Sequence, residues 1–285
     1  MKGKIIKLTG GFYYIKSGDE IIETRAKGAF RYLNESPIVG DNVEFQYDNK
    51  SLGYIQKIYP RKNILTRPKV SNVDLALIVV PLKNPDYNLT LIDKMIAQVE
   101  NSSIEIFIVV NKSDLNFEEA KKIKEIYERA GFKSLEVSAT EYLNMELLKE
   151  KLKNKTTALC GVSGSGKSTI SSYILNREIV SGEVSKKNGR GRHTTRHTEL
   201  LFNEDYYIFD TPGFSSLDLN IKSEDLVHYF REFEKYLGGC KFNNCKHLNE
   251  PGCQIKEKVK EGEIPQSRYE NYKYLYEELK SKEEY

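Results

Sequence analysis

Charge of one sign is missing from this 285-residue chain. Its 44 Lys and Arg nearly match 41 Asp and Glu, and the formal net charge of +3 excludes a histone-like polycation. Long apolar runs are missing too: none approaches the roughly 20 residues that a membrane-spanning helix needs. The N-terminal Met1-Lys2-Gly3-Lys4-Ile5-Ile6-Lys7 interrupts its apolar residues with lysines too often for a signal-peptide core. The expectation is a cytoplasmic protein with no membrane partner. Cysteine is scarce, and four are too few for a disulfide scaffold of this size. Three of them, Cys240, Cys245 and Cys253, crowd together, which in a reducing compartment points to a metal rather than cystine. There is no internal repeat, and no low-complexity tract beyond the charged tail Lys280 to Tyr285. What is present is a globular composition, 39% hydrophobic and 30% charged, in a length that predicts two or three domains.

Charge is unevenly spread. Residues 1–69 carry 13 basic and 7 acidic side chains, a net +6, which leaves −3 for the rest. In that first segment short β-prone runs alternate with turn signals: Lys4 to Leu8, Phe12 to Lys16, Ile21 to Ala26, Asn42 to Tyr47 and Tyr54 to Ile58. This spacing predicts a small antiparallel barrel or sandwich of about five strands. Pro60 to Lys69, rich in basic residues and proline, reads as a linker. From Asp74 the texture changes to buried strand, amphipathic helix, buried strand, starting with Leu75 to Val80 and a helix on Leu91, Ile92, Met95, Ile96 and Val99. Strands at Ile104 to Val110, Ser134 to Val137, Thr157 to Cys160 and Tyr206 to Phe209 alternate with helices at Glu118 to Ala130, Met145 to Leu152 and Lys167 to Leu175. Such alternation implies a mostly parallel α/β sheet covered on both faces. Beyond Ser223 only helices are expected, around one Cys/His knot. The expected modules are a barrel at 1–66, an α/β domain at 70–220 and a helical zinc-binding domain at 221–285.

Gly161-Val162-Ser163-Gly164-Ser165-Gly166-Lys167-Ser168 fits the P-loop pattern G-x-x-x-x-G-K-[ST] between a predicted strand and a predicted helix. Glycines let successive backbone N–H groups and the positive end of the helix surround phosphates. Lys167 would reach the β- and γ-phosphates, Ser168 would ligate Mg²⁺, and Thr169 completes the binding set. Asp210-Thr211-Pro212-Gly213 follows a strand and fits D-x-x-G, with Asp210 toward Mg²⁺ and the Gly213 N–H toward the γ-phosphate. Alone it also reads as an ordinary turn.

Asn111-Lys112-Ser113-Asp114 ends another strand. Asp114 can accept from both N1–H and N2–H₂ of guanine, a charge-assisted pair that adenine cannot offer. Lys112 can lie along the base, and Asn111 can tie the loop down. Ser138-Ala139, after the next strand, can place a backbone N–H on guanine O6. Common GTPases run P-loop, threonine, D-x-x-G, N-K-x-D, then S-A. Here the order is N-K-S-D, S-A, P-loop, threonines, D-T-P-G, a circular permutation of the GTPase sheet.

This motif order, the stretch Gly191-Arg192-His193-Thr194-Thr195-Arg196-His197, the barrel before and the knot after resemble the bacterial ribosome small-subunit-dependent GTPase A (RsgA/YjeQ) family over essentially the whole chain. The resemblance implies an N-terminal OB-fold, a permuted GTPase domain and a C-terminal zinc domain, acting in late assembly of the small (30S) ribosomal subunit.

Phe214 stands where many GTPases carry a water-orienting Gln, and a phenyl ring cannot hydrogen-bond water. Slow intrinsic hydrolysis, stimulated by the small subunit, is the expectation. Thr194 and Thr195 are candidates for closing on Mg²⁺ and the γ-phosphate. His193, Arg192 and Arg196 are candidates for positioning water or stabilising charge. The span 183–198 carries five Lys/Arg against one Glu and reads equally as a solvated loop or an RNA contact. Cys240-x₄-Cys245-x-His247-x₅-Cys253 suits one closed, structural zinc ion, since four protein ligands leave no open position. The basic barrel suits RNA backbone tracking and base stacking, with Phe12, Tyr13, Tyr14, Phe30 and Tyr32 as candidate stacking residues, and the resemblance implies that the RNA is 16S rRNA. Tyr269, Tyr272, Tyr274 and Tyr276 are expected to pack on the zinc module. GTP or GDP, the small subunit and its rRNA are the expected partners of a monomer. An adenine-nucleotide kinase and a pure RNA scaffold are the rival readings.

Overall fold

The computed structural model describes residues 1–27, 30, 36–48, 52–66, 68–179, 198–210 and 219–284, apart from the side chain of Asp210. Two compact units are present. One comprises Met1–Leu75, Lys149–Leu159 and Ser168–Pro212, the other Ala76–Leu148, Cys160–Lys167 and Gly213–Tyr285.

In the first unit, β1 (Lys2–Thr9), β2 (Phe12–Ser17), β3 (Glu20–Ala26), β4 (Asn42–Gln46) and β5 (Gly53–Ile58) form the expected five-strand barrel. Neighbours run β1-β2-β3-β5-β4, and β4 returns to β1, which closes the sheet. The β3–β5 pairing is parallel and the others antiparallel. Alternate residues point inward, so Ile5, Ile15, Ile22, Val43, Phe45 and Ile55 build one core. Phe30 joins that core and is 9% exposed. This corrects its reading as a stacking residue, because barrel closure needs a large apolar side chain inside. Tyr13 packs half-buried against the same core, Phe12 lies under the Arg25 guanidinium at 4.4 Å, and Tyr14 is half-buried. Tyr32 lies outside the described residues.

The stretch read as a linker is also corrected. β6 (Ile64–Thr66) and β7 (Lys69–Ser71) pair as a hairpin, with Leu65 and Val70 buried. Arg61 anchors its base, donating from Nε and Nη2 to the buried Asp41 carboxylate at 2.7 Å each. Three-residue strands are too short to stand out from their prolines and charges. The unit continues through β11 (Thr156–Cys160), α4 (Lys167–Leu175), β12 (Glu199–Phe202) and β13 (Tyr207–Asp210). β11 and β13 are parallel. β12, which periodicity missed, pairs antiparallel with β13 and through Glu199 with Lys7 of β1.

In the second unit, β8 (Leu75–Pro81) is buried at every position, as a strand covered on both faces must be. β9 (Glu105–Asn111) lies beside it, and β10 (Lys133–Glu136) pairs in parallel with β9. α1 (Leu89–Glu100) follows β8, its N-terminus capped by Asn88. It buries Ile92, Met95, Ile96 and Val99 at helical spacing, each worth roughly 1.5–3 kcal/mol. α2 (Phe117–Arg129) is capped by Asn116 and closed by Gly131 at φ +87°, and α3 (Met145–Leu152) follows β10. After a 3₁₀ turn at Ser223–Tyr229 come α5 (Arg231–Glu234), α6 (Gln254–Lys260) and α7 (Gln266–Glu283). α7 is fixed by a fully buried guanidinium. Arg268 pairs with Asp93 of α1 and Glu232 of α5, both at 2.6 Å, while Asn271 and Tyr127 donate to Asp93. No helix among the described residues is long and apolar enough to cross a membrane.

Candidate nucleotide site and Cys/His centre

The P-loop occupies the predicted place, between β11 and α4. Gly161, Gly164 and Gly166 all have positive φ. Gly166, at φ +97°, is the tightest position, because a Cβ there would overlap Asn111 Nδ2. At Gly161 a Cβ would lie 2.6 Å from the Val79 carbonyl oxygen. Lys167 Nζ folds over the loop and donates to the carbonyl oxygens of Gly161 and Val162 at 2.9 and 2.7 Å. Ser165 N–H closes a turn on Val162 O at 3.2 Å. Ser168 is half-buried on the first turn of α4, and Thr169 is exposed beside it.

Asn111 is the last residue of β9, 2% exposed, and joins three motifs. Its Nδ2 donates to Ser165 O of the P-loop at 2.8 Å, and its Oδ1 accepts from Ala139 N–H at 3.1 Å. The tie expected of Asn111 is therefore present with protein partners alone. Of the two N–H groups expected to be available to guanine O6, that of Ala139 is engaged by Asn111 and that of Ser138 by Leu143. Ser138 N–H bonds Leu143 O, its Oγ lies 3.2 Å from Thr140 Oγ1, and Ser113 N–H donates to Val137 O at 3.1 Å. The first two bonds brace the loop after β10 internally, and the Ser113–Val137 bond ties it to the loop after β9.

Lys112 sits in the left-handed region at φ +64°, and its ammonium donates to the carbonyl oxygens of Lys83 and Asn84. Partial burial pulls its pKa below the usual lysine value, against the charge of Asp114. Asp114 is exposed in the 3₁₀ turn Ser113–Leu115. The Lys83–Pro85 segment was missed by sequence reasoning. Pro85 Cδ lies 3.2 Å from where a Gly164 Cβ would stand, so this segment walls the P-loop. Its position just beyond the carboxyl end of a buried strand, where ligands of open α/β sheets bind, was the available signal.

Asp210 ends β13 as expected. Gly213, His193, Thr194 and Thr195, with Arg192, Arg196 and Phe214, lie outside the described residues.

The four expected ligands converge. One donor atom each from Cys240, Cys245, His247 and Cys253 lies within 4.8 Å of the others, and His247 Nδ1 is 3.5 and 3.4 Å from the sulfurs of Cys240 and Cys253. Sulfurs bound at about 2.3 Å around a tetrahedral ion fall within that spread, so the donor set fits zinc. Burial pushes the Cys245 thiol up to about 12, raises Cys253 and keeps the His247 imidazole below its usual value. His247 itself has φ +62°, a backbone held by its neighbours. Tyr269 OH donates to His247 O and Leu248 O, Tyr272 OH to Lys246 O, and the Glu250 carboxylate accepts from Lys246 and Leu248 N–H. Of the four tyrosines, Tyr274 departs from expectation and is 61% exposed. His228 is exposed and Cys160 is buried.

Comparison with known proteins agrees with this geometry. Residues 58–220 match the family model for the RsgA GTPase, and residues 2–55 match that for the RsgA N-terminal domain. A Clostridium botulinum (strain Loch Maree / Type A3) protein named small ribosomal subunit biogenesis GTPase RsgA is 44% identical over 277 residues, 95% of each chain. The protein of the same name from Clostridium perfringens is 44% identical over 98% of each chain. The crystal structure of YjeQ from Thermotoga maritima superposes with TM-score 0.83 at 35% identity, covering 98% of both chains. That of YloQ, described as a circularly permuted GTPase, superposes with TM-score 0.79 at 32% identity over 99% of this chain and 95% of that one. The chain belongs to the RsgA GTPase family, and its fold is a circularly permuted GTPase with an N-terminal barrel.

Proposed function

We propose that the chain hydrolyses GTP to GDP and phosphate in the biogenesis of the small ribosomal subunit. The observation that carries this reading is Asn111. One buried carboxamide binds the P-loop at Ser165 and the base-side loop at Ala139, which fixes the distance between a phosphate cradle and a guanine reader. A P-loop kinase for adenine nucleotides has no need of that tie to an N-K-S-D loop. Asp114 then reads N1 and N2 of guanine, and Lys112 lies along the base. The P-loop from Gly161 to Ser168, with Thr169, supplies backbone N–H groups for the phosphates other than that of Ser165, which closes the turn on Val162, and Lys167 exchanges its two loop carbonyls for phosphate oxygens.

Ser168, with Asp210 through water, would hold Mg²⁺, which supplies charge neutralisation between the β- and γ-phosphates. Thr194 or Thr195 completes the γ-phosphate side, Gly213 offers its N–H there, and His193 is the candidate for orienting water in place of Gln. The Cys/His centre holds one structural zinc ion. Modules at 1–66, 70–220 and 221–285 serve RNA contact, nucleotide chemistry and structural zinc binding, in a cytoplasmic monomer. The net +6 of residues 1–69 supports 16S rRNA as the nucleic-acid partner. Turnover with and without purified small subunits tests this. An increase on their addition is expected, and an unchanged rate contradicts it.

A further inference from the structure

Exposed large apolar side chains are few, and they are not scattered. Among the described residues eleven stand out, and five of these lie in two short segments on the base side of the nucleotide site. Leu115 (53% exposed) and Phe117 (49%) follow N-K-S-D, while Tyr142 (66%), Leu143 (39%) and Leu147 (54%) follow Ser138-Ala139. The two segments are neighbours, because Ser113 N–H bonds Val137 O and Ala139 N–H bonds Asn111 Oδ1. Singly such residues need no explanation, but a grouped apolar surface does.

Within the two segments themselves the charges are of one sign. Residues 113–119 and 138–147 contain Asp114, Glu118, Glu119, Glu141 and Glu146 and no Lys or Arg. The adjoining Lys112 is turned onto the Lys83 and Asn84 carbonyls; Lys121 and Lys122 come a turn further along α2, where Lys122 pairs with Glu119, and Lys149 and Lys151 follow Leu147 on α3, so carboxylates predominate at the near end of both helices. An apolar centre with a carboxylate rim has the anatomy of a protein interface. It repels a phosphate backbone and complements a basic chain.

We infer that this face docks a Lys/Arg-rich protein segment carrying apolar anchors, supplied by a protein of the small subunit. The inference rests on the ribosomal reading above for the source of the segment. Bare rRNA and a second copy of this chain are the other occupants, and both are outcomes of the test. Because the face grows out of the loops that hold Asp114 and Ala139, the seated segment touches the elements that grip the base.

The full chain carrying the photo-crosslinking residue p-benzoylphenylalanine in place of Phe117, or of Tyr142, is sedimented with purified small subunits in the presence of a non-hydrolysable GTP analogue, then irradiated. Adducts to a basic peptide of a subunit protein are expected at both positions. Adducts to rRNA, to the chain itself or to nothing, with sedimentation intact, overturn the inference while leaving the ribosomal reading in place. Failure to sediment overturns both. In parallel, Glu118→Lys/Glu141→Lys and Phe117→Ser/Leu147→Ser are compared with wild type for subunit binding and GDP binding. About tenfold weaker subunit binding with GDP affinity unchanged is expected. Subunit binding equal to wild type for both double variants contradicts the inference.

Discussion

The nucleotide pocket and the Cys/His centre are held in opposite ways. In the pocket, three motifs distant in sequence are joined by protein hydrogen bonds alone: Asn111 to Ser165 and Ala139, Ser113 to Val137, and Lys112 to Lys83 and Asn84. In the centre, three thiols and an imidazole face one another, joined only by weak contacts: His247 Nδ1 to the Cys240 and Cys253 sulfurs, and Gln254 N–H to Cys240 Sγ. Burial raises Cys245 and Cys253, so the thiolates that a zinc ion needs are disfavoured until the ion itself offsets their desolvation. The difference teaches that the pocket is preorganised for its ligand, whereas the centre is completed by its ligand.

Removing the metal is the strongest way to break the comparison. Apparent zinc binding in such sites is worth about 10–16 kcal/mol, so chelation, or Cys253→Ser, should unfold the segment around residues 238–265. Hydrogen exchange should then rise there and stay unchanged at the P-loop amides. Zinc uptake displaces thiol protons, so zinc affinity measured by chelator competition should rise with pH. Equal loss of protection in both regions would erase the contrast.

Asn111→Ala attacks the pocket's preorganisation. It leaves the Ala139 N–H and Ser165 O without their partner, at about 1–3 kcal/mol each. Denaturant unfolding should show a loss of that order, and GDP affinity should fall by about a hundredfold or more. Gly166→Ala should weaken nucleotide binding in calorimetry while costing less stability, since its φ of +97° and the overlap with Asn111 strain the loop locally. The smallest effect belongs to Tyr269→Phe. It deletes one donor to the His247 and Leu248 carbonyls, and about 1 kcal/mol is expected in thermal unfolding with zinc content unchanged.

Much of this was legible in the sequence because the informative residues repeat at fixed spacing or cluster. The barrel strands alternate apolar residues at period two, and their ends fall within two residues of expectation. The P-loop and N-K-S-D are contiguous, as is the Cys₃His set. What stayed hidden was short or non-local. The hairpin Ile64–Thr66 and Lys69–Ser71 lies inside a basic, proline-containing stretch, and β12 has four residues. The wall formed by Lys83 to Pro85 depends on which loop the sheet brings beside Gly164. The Asp93–Arg268–Glu232 cluster joins residues scattered across the chain, and no local pattern announces it. Phe30 failed because aromaticity near a basic surface says nothing about the side on which a ring is buried.

The central claim is that Asp114, carried on a loop whose geometry Asn111 fixes, reads guanine. Asp114→Asn tests it most directly, with equilibrium binding of GDP and xanthosine diphosphate compared on wild type and variant. The expected result is loss of GDP binding and gain of xanthosine diphosphate binding, because the amide donates where the carboxylate accepted. GDP binding unchanged by the substitution would contradict the claim.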